Sequence, residues 1–173
     1  MNAGESPRRL PRRWRRLLRL LRSAAVGAGV GWVLFSYVAQ VFRIEGESMS
    51  PSLRPGERVV VDKLGFRLGT IERGDVLVFR LPGDEQATMV KRVVGLPGET
   101  VQFEGNEITV MPSAPMGPEA RSVFVEDGHF FVAGDNRPRS SDSRRFGLLA
   151  EDAVIGRAVF RVAPPGRIRP APQ

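Results

Sequence analysis

Cysteine is absent from the 173 residues, which excludes disulfides, thiol nucleophiles and thiolate metal sites. Histidine occurs once, as His129, too little for a multi-histidine centre, so no metal and no other cofactor is expected. Lysine is scarce too: of 26 basic side chains only Lys63 and Lys91 are lysine. Any nucleophile must therefore be an oxygen or an amine. Past residue 22 there is no excess charge of either sign. Eight arginines, at positions 8, 9, 12, 13, 15, 16, 19 and 22, face only Glu5 and account for the whole net charge of +7. The rest of the chain balances, so the net charge indicates no duplex-binding face and no nucleic-acid partner is expected.

The length allows one domain with a modest core plus appendages. Immediately after the arginine-rich tail, residues 23–42 run for twenty positions without a charge, enough to cross about 30 Å of hydrocarbon as a helix. A buried core helix would show a polar stripe, for which only Ser36 and Gln40 are available. A cleaved secretory signal is usually shorter and ends in a small-x-small site, whereas this segment runs on into Val41 and Phe42. Length and flanks favour a transmembrane anchor over both. The arginines then orient it by the positive-inside rule, with a cytoplasmic N-terminus. The expected division is a basic tail over 1–22, an anchor over 23–42 and an extracytoplasmic domain over 43–173.

That domain reads as strands. Short β-like runs stand at 59–61, 76–79, 89–94, 100–103, 108–110, 129–132 and 154–160, separated by turn signals such as Leu81-Pro-Gly-Asp84, Leu96-Pro-Gly-Glu99 and Glu104-Gly-Asn106. No segment past residue 42 keeps a helical period over three turns. A mainly β fold follows, coiled or barrel-like and antiparallel, with loops carrying the chemistry. Residues 111–118 form a Pro-rich surface loop and 164–173 a frayed tail.

In a chain so biased to arginine, lysine stands where arginine will not serve. Arginine keeps its proton in a protein, whereas a desolvated lysine can become neutral and act as a base. Lys91 lies in Thr88-Met-Val-Lys-Arg-Val-Val-Gly95, where alternation places Met89, Lys91 and Val93 on one strand face and Val90, Arg92 and Val94 on the other. From position alone a snorkelling surface lysine is the plainer reading. Lys63, beside Asp62, reads as a surface pair. Serines cluster at 48, 50 and 52 and at 140, 141 and 143, each cluster alone no more than a polar turn. His129 follows Asp127-Gly128 and reads as a turn-edge residue, which makes a histidine triad the weaker route to an activated serine. A serine paired with a neutral lysine remains.

Four segments in order, Gly46-Glu-Ser-Met-Ser-Pro-Ser-Leu53, Arg73-Gly-Asp-Val-Leu-Val-Phe79, Lys91-Arg-Val-Val-Gly-Leu-Pro-Gly-Glu99 and Gly134-Asp-Asn-Arg-Pro-Arg-Ser-Ser-Asp-Ser-Arg144, resemble the signature boxes of bacterial type I signal peptidases. These are membrane-bound serine proteases that remove signal peptides from exported proteins, and the preceding anchor is similar too. By position, the resemblance implies Ser48 as nucleophile, Lys91 as general base and Ser140 as the hydroxyl orienting the lysine amine. It implies Asp142 and Arg144 as a site-shaping salt bridge, with Gly134, Asp135 and Asn136 in the loop around it. The oxyanion would be held by the Ser48 backbone N–H. Gly46 stands where many members place a serine, which leaves a backbone N–H there as second donor. Shallow apolar pockets would be lined by Phe42, Ile44, Met49, Leu53, Val78, Met89 and Val90 and take small substrate side chains. The implied partners are signal peptides of exported preproteins and the lipid bilayer, and the implied location is the bacterial cytoplasmic membrane. Two rival readings are a membrane-anchored β-domain that only binds, and a self-cleaving repressor with a similar Ser/Lys pair. The repressor would need a DNA-binding head where this chain has an apolar segment.

Overall fold

Val76-Leu77-Val78-Phe79 is apolar on both alternating faces, a pattern that requires a strand covered from two sides. In the computed structural model of the chain all four are buried, at the centre of an antiparallel sheet. The structure describes residues 12–112, 121–163 and 167–172. It divides into two units, Met1–Tyr37 and Val38–Gln173.

The first unit holds most of helix α1 (Arg12–Val38). In the second, the strands are β1 (Ala39–Arg43), β2 (Arg58–Asp62), β3 (Val76–Leu81), β4 (Asp84–Gly95), β5 (Thr100–Glu104), β6 (Glu107–Met111), β7 (Arg121–Phe124), β8 (His129–Ala133), β9 (Leu149–Ala150), β10 (Val154–Ala163) and β11 (Arg167–Pro170). Two single-turn helices, α2 (Gly65–Leu68) and α3 (Ser143–Phe146), interrupt them. The main sheet runs β1-β2-β10-β3-β4-β8-β9, with β11 paired to β10, and β6-β5-β7 form a second sheet. Every pairing is antiparallel.

The two faces of β3 serve two cores, as a period of two demands. Val76 and Val78 pack with Ile44, Met49, Leu53, Val59 and Val61, while Leu77 and Phe79 pack with Val93, Phe130, Val132 and Leu149. A third cluster of Val101, Val125 and Phe131 lies against the small sheet. The turn at Leu81-Pro-Gly-Asp84 closes the β3–β4 hairpin, with Gly83 at φ +86°, a conformation that disfavours a side chain. It sets Leu77 opposite Lys91 and Val78 opposite Val90.

The helix and the C-terminal segment depart from expectation. The apolar segment does not stay helical to residue 42: residues 39–43 pair with 58–62 as a hairpin edge, since Val41 and Phe42 find strand partners in Val60 and Val59. The helix also starts within the arginine tail, leaving sixteen uncharged helical residues over 23–38. Among the described residues no helix is long and apolar enough to cross a membrane. The C-terminal segment is not frayed over Arg167–Pro170, which pairs with Phe160–Ala163 of β10. The Pro-rich loop expected over residues 111–118 lies, from residue 113 on, outside the described residues.

Candidate active site

The segment between β1 and β2 is held by its own backbone and by two apolar plugs. Ile44 N–H donates to Glu57 O at 2.8 Å, Leu53 N–H to Met49 O at 2.8 Å and Ser50 N–H to Glu47 O at 3.0 Å. Met49 and Leu53 are buried in the core, which fixes the half-buried Ser48 between them and the surface. The hairpin register carries Lys91 to the same place, and its Nζ lies 2.6 Å from Ser48 Oγ. Lys91 is only 3% exposed. Burial pulls its ammonium down from 10.5 to about 8, against the opposing charge of Asp142. Near neutral pH an appreciable fraction of this amine is therefore free to take a proton from the serine.

A loop from Gly134 to Ser140 closes over the Ser48 segment. Asn136 N–H donates to Ser48 O at 2.9 Å and Asn136 Nδ2 to Glu47 O at 3.2 Å. Gly134 passes so close that a Cβ would lie 2.3 Å from Ser140 Oγ and 2.5 Å from Ser48 O, so only glycine fits. Two carboxylates pin the loop. Arg92, pointing away from its neighbour Lys91, holds Asp135 by two hydrogen bonds of 2.8 Å. Asp142, fully buried, takes Arg144 Nε at 2.8 Å and Nη2 at 2.9 Å and accepts Gly134 N–H at 3.1 Å. Burial would raise both carboxyls. For Asp135 this is outweighed by hydrogen bonds from Arg92 and Ser52 and the charges of Arg92 and Arg137, leaving its pKa below the ordinary value. For Asp142 the bonds from Arg144 and Gly134, with Ser140 close by, do the same.

Ser140 is buried, and its Oγ makes no contact of hydrogen-bond geometry, to Lys91 or to any other described residue. It sits near enough to Asp142 to help hold that carboxyl ionised. Gly46 is exposed, and nothing lies within 4 Å of a Cβ built on it. Among the described residues the Ser48 backbone N–H donates to no protein acceptor.

Beside the Ser48–Lys91 pair lies a cleft of about 400 Å³ lined by Phe42, Ile44, Met49, Met89 and Val90, and also by Arg43, Glu45, Gly46, Gln86 and Thr88. Leu53 and Val78, expected in its lining, are not there. Both are fully buried, packed with Ile44 and Met49 beneath the cleft, because alternation and the tight turn at 49–53 send them inward. His129 stands apart at the start of β8, its Nδ1 3.1 Å from Asp127 O. The Arg92–Asp135 pair was missed from sequence; its available signal was the second cation next to Lys91.

The arrangement offers a hydroxyl in contact with a desolvated amine, beside an apolar cleft and an unengaged N–H, the parts of acyl transfer by a serine and a lysine. The protein-family model for signal peptidase, peptidase S26, matches residues 17–163. Signal peptidase IB of Staphylococcus aureus is 33% identical over 174 residues, covering 86% of this chain and 90% of that protein. A probable signal peptidase I-1 of Synechocystis sp. is 32% identical, covering 91% and 88%. The crystal structure of a signal peptidase I from Enterococcus faecalis V583, 27% identical, aligns over 51% of this chain and 97% of that one with a TM-score of 0.42.

Proposed function

The chain belongs to the signal peptidases of peptidase family S26, serine endopeptidases, and from that premise we propose that Ser48 and Lys91 cut signal peptides from exported preproteins. Membership sets aside both the purely binding β-domain and the self-cleaving repressor. The observation that supports the assignment of residues is the 2.6 Å contact between Lys91 Nζ and Ser48 Oγ at a buried lysine.

In the proposed mechanism neutral Lys91 takes the Ser48 proton as the oxygen attacks the carbonyl before the cut. The oxyanion forms against the Ser48 N–H, with a backbone N–H at Gly46 as second donor. Lys91 then passes its proton to the leaving amine, and water activated by the same amine hydrolyses the acyl-enzyme. Ser140, buried beside Asp142, is the hydroxyl assigned to orient Lys91. The salt bridge of Asp142 with Arg144 and the loop of Gly134, Asp135 and Asn136 hold these groups in place. The cleft formed by Phe42, Ile44, Met49, Met89 and Val90 takes the small side chains before the cut, with Leu53 and Val78 supporting it from below.

Membrane attachment belongs to the same reading. The uncharged helical residues 23–38 reach about 24 Å, short of about 30 Å of hydrocarbon. Flanking arginines that snorkel, and local thinning of the bilayer, make up such a difference. Exposed Val26, Val30 and Trp32 on α1 provide the lipid-facing surface. The tail would be cytoplasmic and the β-domain extracytoplasmic, dividing the chain near residue 38 rather than 42. Detergent-solubilised protein incubated with a preprotein tests the assignment: wild type releases the mature product and Ser48→Ala does not. Equal cleavage by the two would refute it.

A further inference from the structure

A second cleft, of about 470 Å³, lies beyond the Gly134–Ser140 loop and is lined by Arg121, Arg137, Arg144, Arg145, Glu104 and Ser140, among others. Its charge is unbalanced. Arg144 is neutralised by Asp142, but Arg121, Arg137 and Arg145 form no ion pair among the described residues, and Glu104 is the one carboxylate in the lining. Two positive charges remain in excess.

Part of this arginine set is already held in place. Arg144 Nη2 donates to Arg137 O at 2.7 Å and Nη1 to Gly105 O at 2.9 Å, while Arg137 Nη1 donates to Gly134 O. Arg144 spends its N–H groups on Asp142, Arg137 O, Gly105 O and Asn106 Oδ1 and so braces the cleft, which leaves the planar paired donors of Arg121, Arg137 and Arg145 to meet a carboxylate. The cleft is also next to the Ser48 backbone. Ser140 Oγ and Ser48 O both lie within 2.5 Å of one point, the Cβ position of Gly134, so they are no more than about 5 Å apart. Ser48 lines the apolar cleft and Ser140 the arginine cleft, and no residue lines both.

We infer that the arginine cleft receives an acidic side chain of the polypeptide substrate, on the far side of the cut from the residues held in the apolar cleft. This rests on the reading of Ser48 and Lys91 above. A polypeptide is favoured over a lipid headgroup because the cleft's Ser140 lies within about 5 Å of the backbone of Ser48, where the substrate chain is cut. Selectivity for the segment after the cut then comes from charge, and selectivity before it from shape.

The test is a series of preprotein-derived peptides with one aspartate walked through the first six positions after the cut, compared with alanine. The wild-type protein is run beside Arg121→Gln/Arg145→Gln, whose exposed side chains lie outside the Ser48–Lys91 machinery. Aspartate at one or two adjacent positions is expected to lower KM about five-fold with kcat unchanged, an advantage that disappears in the double variant and in high salt. An advantage that survives in the double variant, or none at any position, overturns the inference. So does a double variant that loses binding to phosphatidylglycerol vesicles while its peptide kinetics stay as in wild type, which would assign the cleft to lipid. Wild type that cleaves the alanine peptide but ignores aspartate refutes this inference alone, whereas wild type that cleaves no peptide refutes the reading beneath it.

Discussion

Lys91 must be neutral to act as a base, and burial favours that form at a measurable cost in stability. Burial brings its pKa from 10.5 to about 8. At pH 7 roughly a tenth of the amine is then neutral, about 300 times the fraction of an unperturbed lysine. The acid limb of kcat/KM should therefore have its midpoint near 8 and fall ten-fold per pH unit below it. The same shift carries a stability consequence of definite sign. Between about 8 and 10.5 the unfolded chain keeps the lysine proton and the folded chain has lost it, so stability rises with pH across that window. Below it the fold bears the full penalty, about 3 kcal/mol. Lys91→Met removes the penalty, so the inactive variant should be more stable than wild type at pH 7 by up to about 3 kcal/mol, with the gain gone by about pH 10.5. Denaturant melts of both proteins across pH, beside initial rates on a preprotein, measure the two effects. A rate flat from about pH 6 to 9, or a Lys91→Met protein less stable than wild type at pH 7, would refute the reasoning.

Lys91→Arg keeps the charge but not the base, and should lose cleavage while its circular dichroism matches wild type. Gly134→Ala forces a Cβ to within 2.3 Å of Ser140 Oγ and 2.5 Å of Ser48 O, and should cost about 1–3 kcal/mol in melts together with most activity. Asp135 has a depressed pKa, so its contribution is present above the unfolded value of 3.8 and is lost as pH falls through the lower folded one. Asp135→Asn should accordingly destabilise wild type at pH 7 and make little difference in strong acid. Protease added outside spheroplasts should digest the β-domain and spare the arginine tail, and protection of the β-domain would reverse the proposed orientation.

Local chemistry made part of this protein legible in its sequence. Alternating apolar runs and Pro-Gly turns mark β2, β3, β4, β5, β6, β8 and β10, because a strand's two faces and a turn's backbone demands are decided within a few residues. The strands that escaped lacked such a signal. β1 continues an apolar run, so its residues read as anchor; β7 is four residues long; β11 lies among prolines and pairs only because β10 extends past β3 and leaves that edge free.

The candidate site divides in the same way. The scarcity of lysine singles out Lys91, and the four motif segments single out Ser48, but residues 43 positions apart meet only through the β3–β4 hairpin and the loop after β1. Whether Lys91 is a snorkelling surface cation or a buried amine was undecidable from alternation, since either face of β4 carries apolar neighbours. Only the fold buries it, with Ser48 against its amine and Asp142 nearby. Leu53 and Val78 likewise look the same in sequence as Met49 and Met89. The fold alone decides which apolar side chains line the cleft and which lie beneath it, because burial depends on what packs on the other side and not on the residue itself.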